Sequence, residues 1–242
     1  MNLTIDVGNT RVKAAVFEDD KLLLVEVFML DEIITEIKKI VESYAVQEAI
    51  IANVSSISEK LLNNINKIVP LTRVSSTMQL PFTNNYATPH TLGLDRLALV
   101  FGAVLEHKNQ NILIIDAGTC ITYDFVSEEK EYFGGAISPG IQMRYKSLNH
   151  YTSKLPLLDS QIPNYFIGDS TEESIHSGVV NGVVQEIEGI ISQYKNKYSD
   201  LTVVLTGGDT NFLSKQLKSS IFANQNFLLE GLNRILIFNN NK

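Results

Sequence analysis

Two short runs place an aspartate, a glycine and a threonine between stretches that favour β-strands. The first is Asp6-Val7-Gly8-Asn9-Thr10 and the second is Asp116-Ala117-Gly118-Thr119. Glycine at a strand–strand turn lets backbone N–H groups approach phosphate oxygens without an intervening side chain. An ionised carboxylate only accepts hydrogen bonds, and it suits Mg²⁺ directly or through the ion's water molecules. Both runs therefore indicate phosphate binding, with Asp6 as a candidate Mg²⁺ ligand.

Other residues strengthen the case for a nucleotide. Lys13 lies just beyond the first turn, where its mobile cation can neutralise phosphate charge. Gly207-Gly208 follows a predicted strand and would allow a flat group such as adenine or ribose to lie against the backbone. The chain contains neither the Gly-x4-Gly-Lys-Ser/Thr P-loop nor the Gly-x-Gly-x-x-Gly fingerprint, so a different phosphate-binding architecture is indicated.

A kinase acting on an alcohol also needs a base near the accepting hydroxyl, because phosphoryl transfer is otherwise mostly positioning and charge neutralisation. The run 91–96 supplies candidates at a predicted helix start, directly after the irregular segment 75–92. Asp95 can take the hydroxyl proton, and Arg96 can hold polar or anionic parts of the acceptor. Alternatively, Asp95 is only a first-turn acid favoured by the helix dipole.

Histidine and cysteine offer little further chemistry. The histidines are too scattered for a metal site and are expected at the surface or in packing roles; they are His90, His107, His150 and His176. The single cysteine, Cys120, lies in an apolar stretch and is expected to be a small buried hydrophobe. One cysteine allows no internal disulfide.

The predicted elements follow the same order in both halves of the chain. β-prone runs at 3–6, 11–17 and 21–28 predict an antiparallel meander, followed by helices and short strands. Those are helices 31–44, 58–68 and 94–107 and strands 48–52 and 71–74, with Asp31 and Ser58 as helix caps. The pattern restarts with strands 112–116, 119–126, 131–137 and 201–206 and helices 140–150, 170–195, 210–218 and 228–237.

This repetition predicts two similar α/β domains, residues 1–108 and 109–242, with a cleft between them. The simpler alternative is that Asp-x-Gly at a strand end is merely a common turn.

Composition excludes several classes of protein. The chain is 44% hydrophobic and 19% charged, which is typical of a folded domain. Its net charge of −7, without a Lys/Arg cluster, disfavours a nucleic-acid partner. The most apolar stretches are short and carry charges, so no membrane span is expected, and no leader is apparent before the first strand. We therefore expect a cytoplasmic protein.

Taken together, five motifs resemble those of type III pantothenate kinases, in the superfamily of acetate and sugar kinases, Hsp70 and actin. They are Asp6–Lys13, Gly93–Arg96, Asp116–Thr119, Gly134–Gly140 and Thr206–Gly208. The resemblance covers nearly the whole chain. It implies two ribonuclease-H-like (actin-like) domains, each a mixed five-stranded sheet flanked by helices, with the active site in the cleft between them. It also implies ATP-dependent phosphorylation of pantothenate, the first step of coenzyme A biosynthesis.

The resemblance assigns roles to individual residues. The first phosphate loop would be Asp6, Val7, Gly8, Asn9, Thr10, Arg11, Val12 and Lys13, and Thr119 would also contact ATP. Asp95 matches the family's proton acceptor. Pantothenate would contact Tyr86, Gly93, Leu94, Asp95, Arg96 and Thr171. Asp116 resembles a ligand for a monovalent cation, K⁺ or NH₄⁺. Family members are homodimers, and segment 134–140 is associated with their interface.

Some questions stay open at this level. Cys120 and Tyr123 stand where other small or polar residues are expected, and Asp209 follows the diglycine, so the adenine contacts are not defined. One alternative function is a kinase of another small alcohol. Another is a non-catalytic nucleotide-binding regulatory protein, although a pure switch needs no base. Gly178 and Gly182, four residues apart, indicate close helix packing within the chain or at a dimer interface.

Overall fold

The computed structural model describes residues 1–8, 11–52 and 57–240. The chain forms two compact units, the first built from residues 1–106 together with 226 onward, and the second from 107–225. Each unit contains five strands of a mixed sheet and helices that cover it. No helix in the described ranges is both long and apolar enough to cross a membrane.

The sheet of the first unit has the order β3-β2-β1-β4-β5. Its strands are β1 (Asn2–Val7), β2 (Arg11–Glu18), β3 (Lys21–Met29), β4 (Glu48–Ala52) and β5 (Leu71–Arg73). β1, β2 and β3 form the predicted antiparallel meander, while β4 and β5 are parallel to β1. A two-residue strand, β6 (Thr83–Asn84), lies in the otherwise irregular segment 75–92.

Helices α1 (Ile33–Tyr44) and α2 (Glu59–Ile68) cover one face of this sheet through apolar positions at helical spacing. Ser58 caps α2 as predicted, because its Oγ accepts a hydrogen bond from the N–H of Leu61 at 3.3 Å. The prediction that Asp31 caps α1 is wrong: residues 30–32 form a 3₁₀ turn, and Glu32 occupies the N-cap position.

The first unit is completed by α3 (Leu94–Glu106) and α8 (Phe227–Asn240). Leu229 of α8 packs on Ala15 and Phe17 of β2. The buried Asn233 accepts a hydrogen bond from Asn2 Nδ2 at 2.9 Å and donates one to Asp19 O at 2.7 Å. These contacts place the C-terminal helix on the first unit, whereas the division expected from the sequence assigned it to the second.

The second unit repeats the same strand arrangement in the order β11-β10-β7-β8-β9. The strands are β7 (Asn111–Ala117), β8 (Cys120–Val126), β9 (Glu131–Pro139), β10 (Leu201–Thr206) and β11 (Phe222–Ala223). β7, β8 and β9 form the second antiparallel meander, and β10 is parallel to β7. The helices are α4 (Ile141–His150), α5 (Thr171–His176), α6 (Gly182–Lys197) and α7 (Thr210–Leu213). A π-helical turn at 177–181 joins α5 to α6.

Two glycines allow α3 and α8 to cross at backbone contact. A Cβ added at Gly231 would lie 2.4 Å from Ala98 O, and one at Gly102 would lie 3.1 Å from the Gly231 Cα. Arg234 Nη1 donates to Gly102 O at 3.0 Å across the same crossing. A side chain at either glycine would therefore separate the helices that cover one face of the first sheet.

Gly231→Ala is expected to lower the free energy of unfolding by about 1–3 kcal/mol, because the added methyl overpacks this crossing. Gly189→Ala is the matched control: Gly189 lies inside α6 with open space around its Cβ position. The control should be neutral or stabilising by up to about 1 kcal/mol through helix propensity. Chemical denaturation measures both variants, and equal midpoints would contradict the proposed steric contact.

Candidate functional site

The first Asp-x-Gly turn, which was predicted to bind phosphate, follows β1 directly. The Gly8 N–H donates to Arg11 O at 3.0 Å, which closes the turn, and a Cβ at Gly8 would lie only 3.0 Å from the same oxygen. Gly8 is exposed, so its backbone is accessible to a ligand. Asn9 and Thr10, which were predicted to add side-chain donors, lie outside the described residues.

Asp6 and Lys13 are direct partners in the antiparallel register of β1 and β2. Their side chains therefore lie on the same face of the sheet, and both are half-buried. Arg11 is exposed at the start of β2. Two of the predicted loop residues, Val7 and Val12, belong to the apolar core. They therefore position the turn by packing.

The second turn is held by a glycine from a distant part of the same unit. The Gly118 N–H donates to Cys120 O at 2.9 Å, and the Gly140 N–H donates to Thr119 O at 3.1 Å. A Cβ at Gly140 would lie 2.1 Å from Gly118 O, so only glycine fits against the turn there. Thr119 is exposed and accessible to a ligand. Cys120 was expected to be buried, but it is partly exposed because it begins β8 beside the turn.

Asp116 contacts the diglycine at the end of β10. A Cβ at Gly207 would lie 2.4 Å from Asp116 Oδ1 and 2.3 Å from Ala117 O, and the φ of Gly207 is +95°. Both the close approach and the left-handed backbone require glycine. The Asp209 N–H donates to Ala117 O at 2.9 Å, and burial raises the pKa of the Asp209 carboxyl. The Asp116–Thr119 turn and the diglycine at 207–208 are therefore in direct contact, and the Asp116 carboxylate lies at that contact.

The predicted acceptor residues gather at the first turn of α3. Gly93 O accepts the N–H of Leu97 at 3.1 Å. A Cβ at Gly93 would lie 2.4 Å from Asp95 Oδ1, and this oxygen accepts the Arg96 N–H at 2.8 Å. Within the described residues, no group donates a hydrogen bond to the other carboxylate oxygen, Oδ2. Asp95 is therefore fixed through one oxygen and can accept a proton on the other.

Arg96 and Tyr86 form a second pair in the same place. Arg96 is 6% exposed, and its Cζ lies 5.5 Å from the centroid of the Tyr86 ring. Tyr86 is oriented in turn by its N–H, which donates to Asn84 Oδ1 at 3.0 Å. A cation over an aromatic face, largely removed from water, is a stable arrangement that keeps both groups in place. Leu94 is half-buried beside them.

Thr171 lies in a different part of the second unit. It is the first residue of α5, which Ser170 caps by accepting the Glu173 N–H at 3.2 Å. Thr171 lines a cavity of about 860 Å³ together with Arg144 and Asp169. None of the described lining residues comes from the 116–119 turn, so the structure does not bring Thr171 to Asp116 within this unit.

A polar network that sequence reasoning missed supports the second turn. Arg144 donates to Pro139 O at 2.9 Å, to Ser138 Oγ at 2.9 Å and to Glu186 Oε2 at 2.5 Å. Tyr123 OH donates to Glu186 Oε1 at 2.9 Å. Burial and the Glu186 carboxylate raise the pKa of Tyr123. Burial alone would raise the pKa of Glu186, but the hydrogen bond from Arg144 holds it below its ordinary value.

The histidines lie at the surface or in packing positions, as predicted. His176 is buried, with its Nδ1 2.8 Å from Tyr145 OH, and the others lie apart from it. Across residues 1–8, 11–52 and 57–240, no group of three or more His, Cys, Asp or Glu side chains could hold a metal ion.

Comparison with known proteins gives concordant results. The family model described as type III pantothenate kinase matches residues 2–193. The chain is 50% identical to the type III pantothenate kinase of Christiangramia forsetii over 240 residues, covering 99% of both chains. It is 43% identical to that of Bacteroides fragilis strain YCH46 over 244 residues, covering both chains completely.

Solved structures are similar at lower identity. A Campylobacter jejuni protein described as a Baf family transcriptional activator aligns with a TM-score of 0.66 at 22% identity, over 99% of this chain and 100% of that one. A ROK family glucokinase from Streptomyces griseus aligns with a TM-score of 0.55 at 10% identity, over 100% and 99%. At such identities the similarity concerns the fold alone, and it confirms the predicted class of two ribonuclease-H-like units.

Proposed function

The chain belongs to the type III pantothenate kinase family, and on this premise we propose how its own residues transfer the γ-phosphate of ATP to pantothenate. The products are ADP and 4′-phosphopantothenate, in the first step of coenzyme A biosynthesis. A cytoplasmic location is part of the same proposal.

Asp95 is the proposed general base. The observation that carries this assignment is its asymmetric carboxylate: Oδ1 is held by the Arg96 N–H and packed against Gly93, which leaves Oδ2 to accept the proton of the pantothenate hydroxyl. Arg96, which is buried against the Tyr86 ring, is proposed to bind a polar or anionic part of the acceptor. Leu94 adds apolar contact at the start of the same helix.

ATP is proposed to bind at the two Asp-x-Gly turns. In the first, the exposed backbone at Gly8 and the cations of Arg11 and Lys13 suit phosphate oxygens. In the second, the exposed Thr119 supplies a hydroxyl. Lys13 lies directly opposite Asp6 in the register of β1 and β2, and a single half-buried carboxylate suits Mg²⁺ that keeps most of its water. Bound there, Mg²⁺ would neutralise charge on the β- and γ-phosphates.

Asp116 is the proposed ligand of a monovalent cation, K⁺ or NH₄⁺. Gly207 packs against its carboxylate and holds it at the end of β7, beside the Thr119 turn. A cation there would add positive charge near the phosphates without a further basic side chain. Thr171, at the rim of the 860 Å³ cavity, is proposed as an additional pantothenate contact.

A homodimer is proposed from the segment 151–170, termed here the apolar loop. Two hydrogen bonds connect it to α5: the backbone Gly168 O accepts from Ser174 Oγ at 3.3 Å, and the Asn164 side chain donates to Glu173 Oε1 at 2.9 Å. Its large side chains are nevertheless exposed: Tyr165 by 66%, Phe166 by 82% and Ile167 by 80%. An ordered backbone that presents such a patch is typical of an interface.

Glycines near α6 and an exposed residue of β9 are further evidence for the proposed dimer interface. A Cβ added at Gly178 or Gly182 would have open space around it. Gly178 lines the same cavity as Thr171, whereas Gly182 is exposed and is proposed to lie at the contact with another copy. Ile137 in segment 134–140 is 65% exposed and is proposed to belong to the interface as well.

Asp95→Asn tests the base. Asn can still accept the Arg96 N–H through its oxygen, so ATP affinity by calorimetry should be unchanged, while turnover should fall by about 10²–10⁴. Production of 4′-phosphopantothenate, followed by mass spectrometry, is the assay. Asp20→Asn, at an exposed acid in the β2–β3 turn, is the matched control and should keep full activity. Near-normal turnover of Asp95→Asn would remove the base assignment.

Cation dependence tests Asp116. Turnover at constant ionic strength should be high in K⁺ or NH₄⁺ and low in Na⁺, and Asp116→Asn should lose this dependence. An enzyme indifferent to the choice of monovalent ion would exclude the proposed role.

Sedimentation velocity tests the dimer. The natural chain should sediment as a dimer at micromolar concentration, and Phe166→Asp with Ile167→Asp should convert it to a monomer. Val27→Asp changes an apolar residue of the first unit that is 47% exposed, and it should leave the mass unchanged. A monomeric natural chain would contradict the assignment of the apolar loop.

A further inference from the structure

The two phosphate turns differ in the residue that faces the aspartate. In the first unit the cross-strand partner of Asp6 is Lys13, whereas in the second unit the cross-strand partner of Asp116 is Thr122. Directly opposed residues on antiparallel strands share a face, with Cβ atoms about 4.5–5.5 Å apart. The first carboxylate therefore faces an ammonium of the chain itself, and the second faces a neutral hydroxyl.

The hydroxyl of Thr122 has no partner. Its Oγ1 is buried and makes no hydrogen bond within the described residues. A buried polar atom left in this state costs free energy that folding alone does not recover. Few buried polar atoms in native proteins lack a partner, and those that do call for a specific explanation such as a bound ion.

The surroundings favour a cation of single charge. Asp116 supplies one negative charge, Thr122 supplies a neutral oxygen, and Gly207 holds the carboxylate against the end of β10. Hard cations are bound by oxygen ligands, and K⁺ in particular is held by neutral protein oxygens. In the described ranges, no group of three or more His, Cys, Asp or Glu side chains could hold a metal ion, so a site here would rest on one carboxylate and on neutral oxygens.

We propose that Thr122 Oγ1 and an oxygen of the Asp116 carboxylate are both ligands of the monovalent cation. This inference rests on the cation role proposed above for Asp116. It adds a ligand from the neighbouring strand and gives the buried hydroxyl of Thr122 a partner.

The test compares Thr122→Val with Thr122→Ser. Valine keeps the shape of threonine and removes the oxygen, whereas serine keeps the oxygen. Thr202→Val is the matched control, because Thr202 lies on β10 of the same sheet and its hydroxyl is paired with Gln110 Oε1. Melting temperature is recorded during a KCl titration, with choline chloride holding the ionic strength constant. A ligand at free concentration c that binds only the folded state increases its stability by RT ln(1 + c/Kd), so the melting temperature begins to rise where the K⁺ concentration approaches Kd.

In choline chloride alone, Thr122→Val should melt at or above the temperature of the natural chain, because an unpaired buried hydroxyl has been removed. In KCl its rise in melting temperature should begin only at a K⁺ concentration about 10- to 100-fold higher than in the natural chain, which is the loss in affinity found for residues that organise a metal site. Thr122→Ser and Thr202→Val should retain the K⁺-dependent rise. The half-saturating concentration for turnover should shift in parallel.

Each outcome decides the question. An unchanged K⁺ titration in Thr122→Val would overturn the proposal and assign the oxygen to water or to a phosphate of ATP. A natural chain without any K⁺-dependent rise would overturn the role of Asp116 as well. A Thr122-dependent rise in a protein that fails to phosphorylate pantothenate would support the cation site and reject the substrate, so the two failures are distinguishable.

Discussion

The close contact between a glycine backbone and an aspartate carboxylate is the constraint on which both candidate sites depend. Gly93 leaves space for Asp95 Oδ1 and Gly207 leaves space for Asp116 Oδ1, with 2.4 Å between that oxygen and the position of an added Cβ in each case. A methyl group at either position would displace the carboxylate. Gly93 precedes a helix and Gly207 follows a strand, so the same contact between a glycine and an aspartate carboxylate occurs in two different local structures.

The repeated hairpin shows how a duplicated element can diverge in chemistry while it keeps its backbone. Both hairpins begin with a buried strand, pass through Asp-x-Gly and return antiparallel. Their loops differ by one residue: Val7 pairs with Val12, and Ala117 pairs with Ile121. The register places Lys13 directly opposite Asp6 and Thr122 directly opposite Asp116, so the two hairpins present different side chains beside the same type of carboxylate.

Local signals in the sequence predict most of the fold and much of the candidate site. Strand and turn patterns are sufficient for both meanders, and Ser58 identifies its helix start because capping depends on neighbours only three residues away. The placement of α8 could not be predicted in this way, since Asn233 bonds to Asn2 across 231 positions of sequence. Arg144 and Glu186 are likewise joined across 42 positions, and neither residue type is unusual on an amphipathic helix.

The run Gly134–Gly140 illustrates why a motif does not reveal the purpose of each of its residues. A Cβ at Gly135 would lie 1.6 Å from Tyr123 O, and one at Gly140 would lie 2.1 Å from Gly118 O. Both glycines are therefore required for packing within the second unit, whether or not a partner is bound. Ile137 differs, because its side chain is 65% exposed and is not required for packing within the unit. The same short run therefore combines glycines fixed by close backbone contacts, Gly135 against β8 and Gly140 against the 116–119 turn, with a residue that those contacts leave unconstrained.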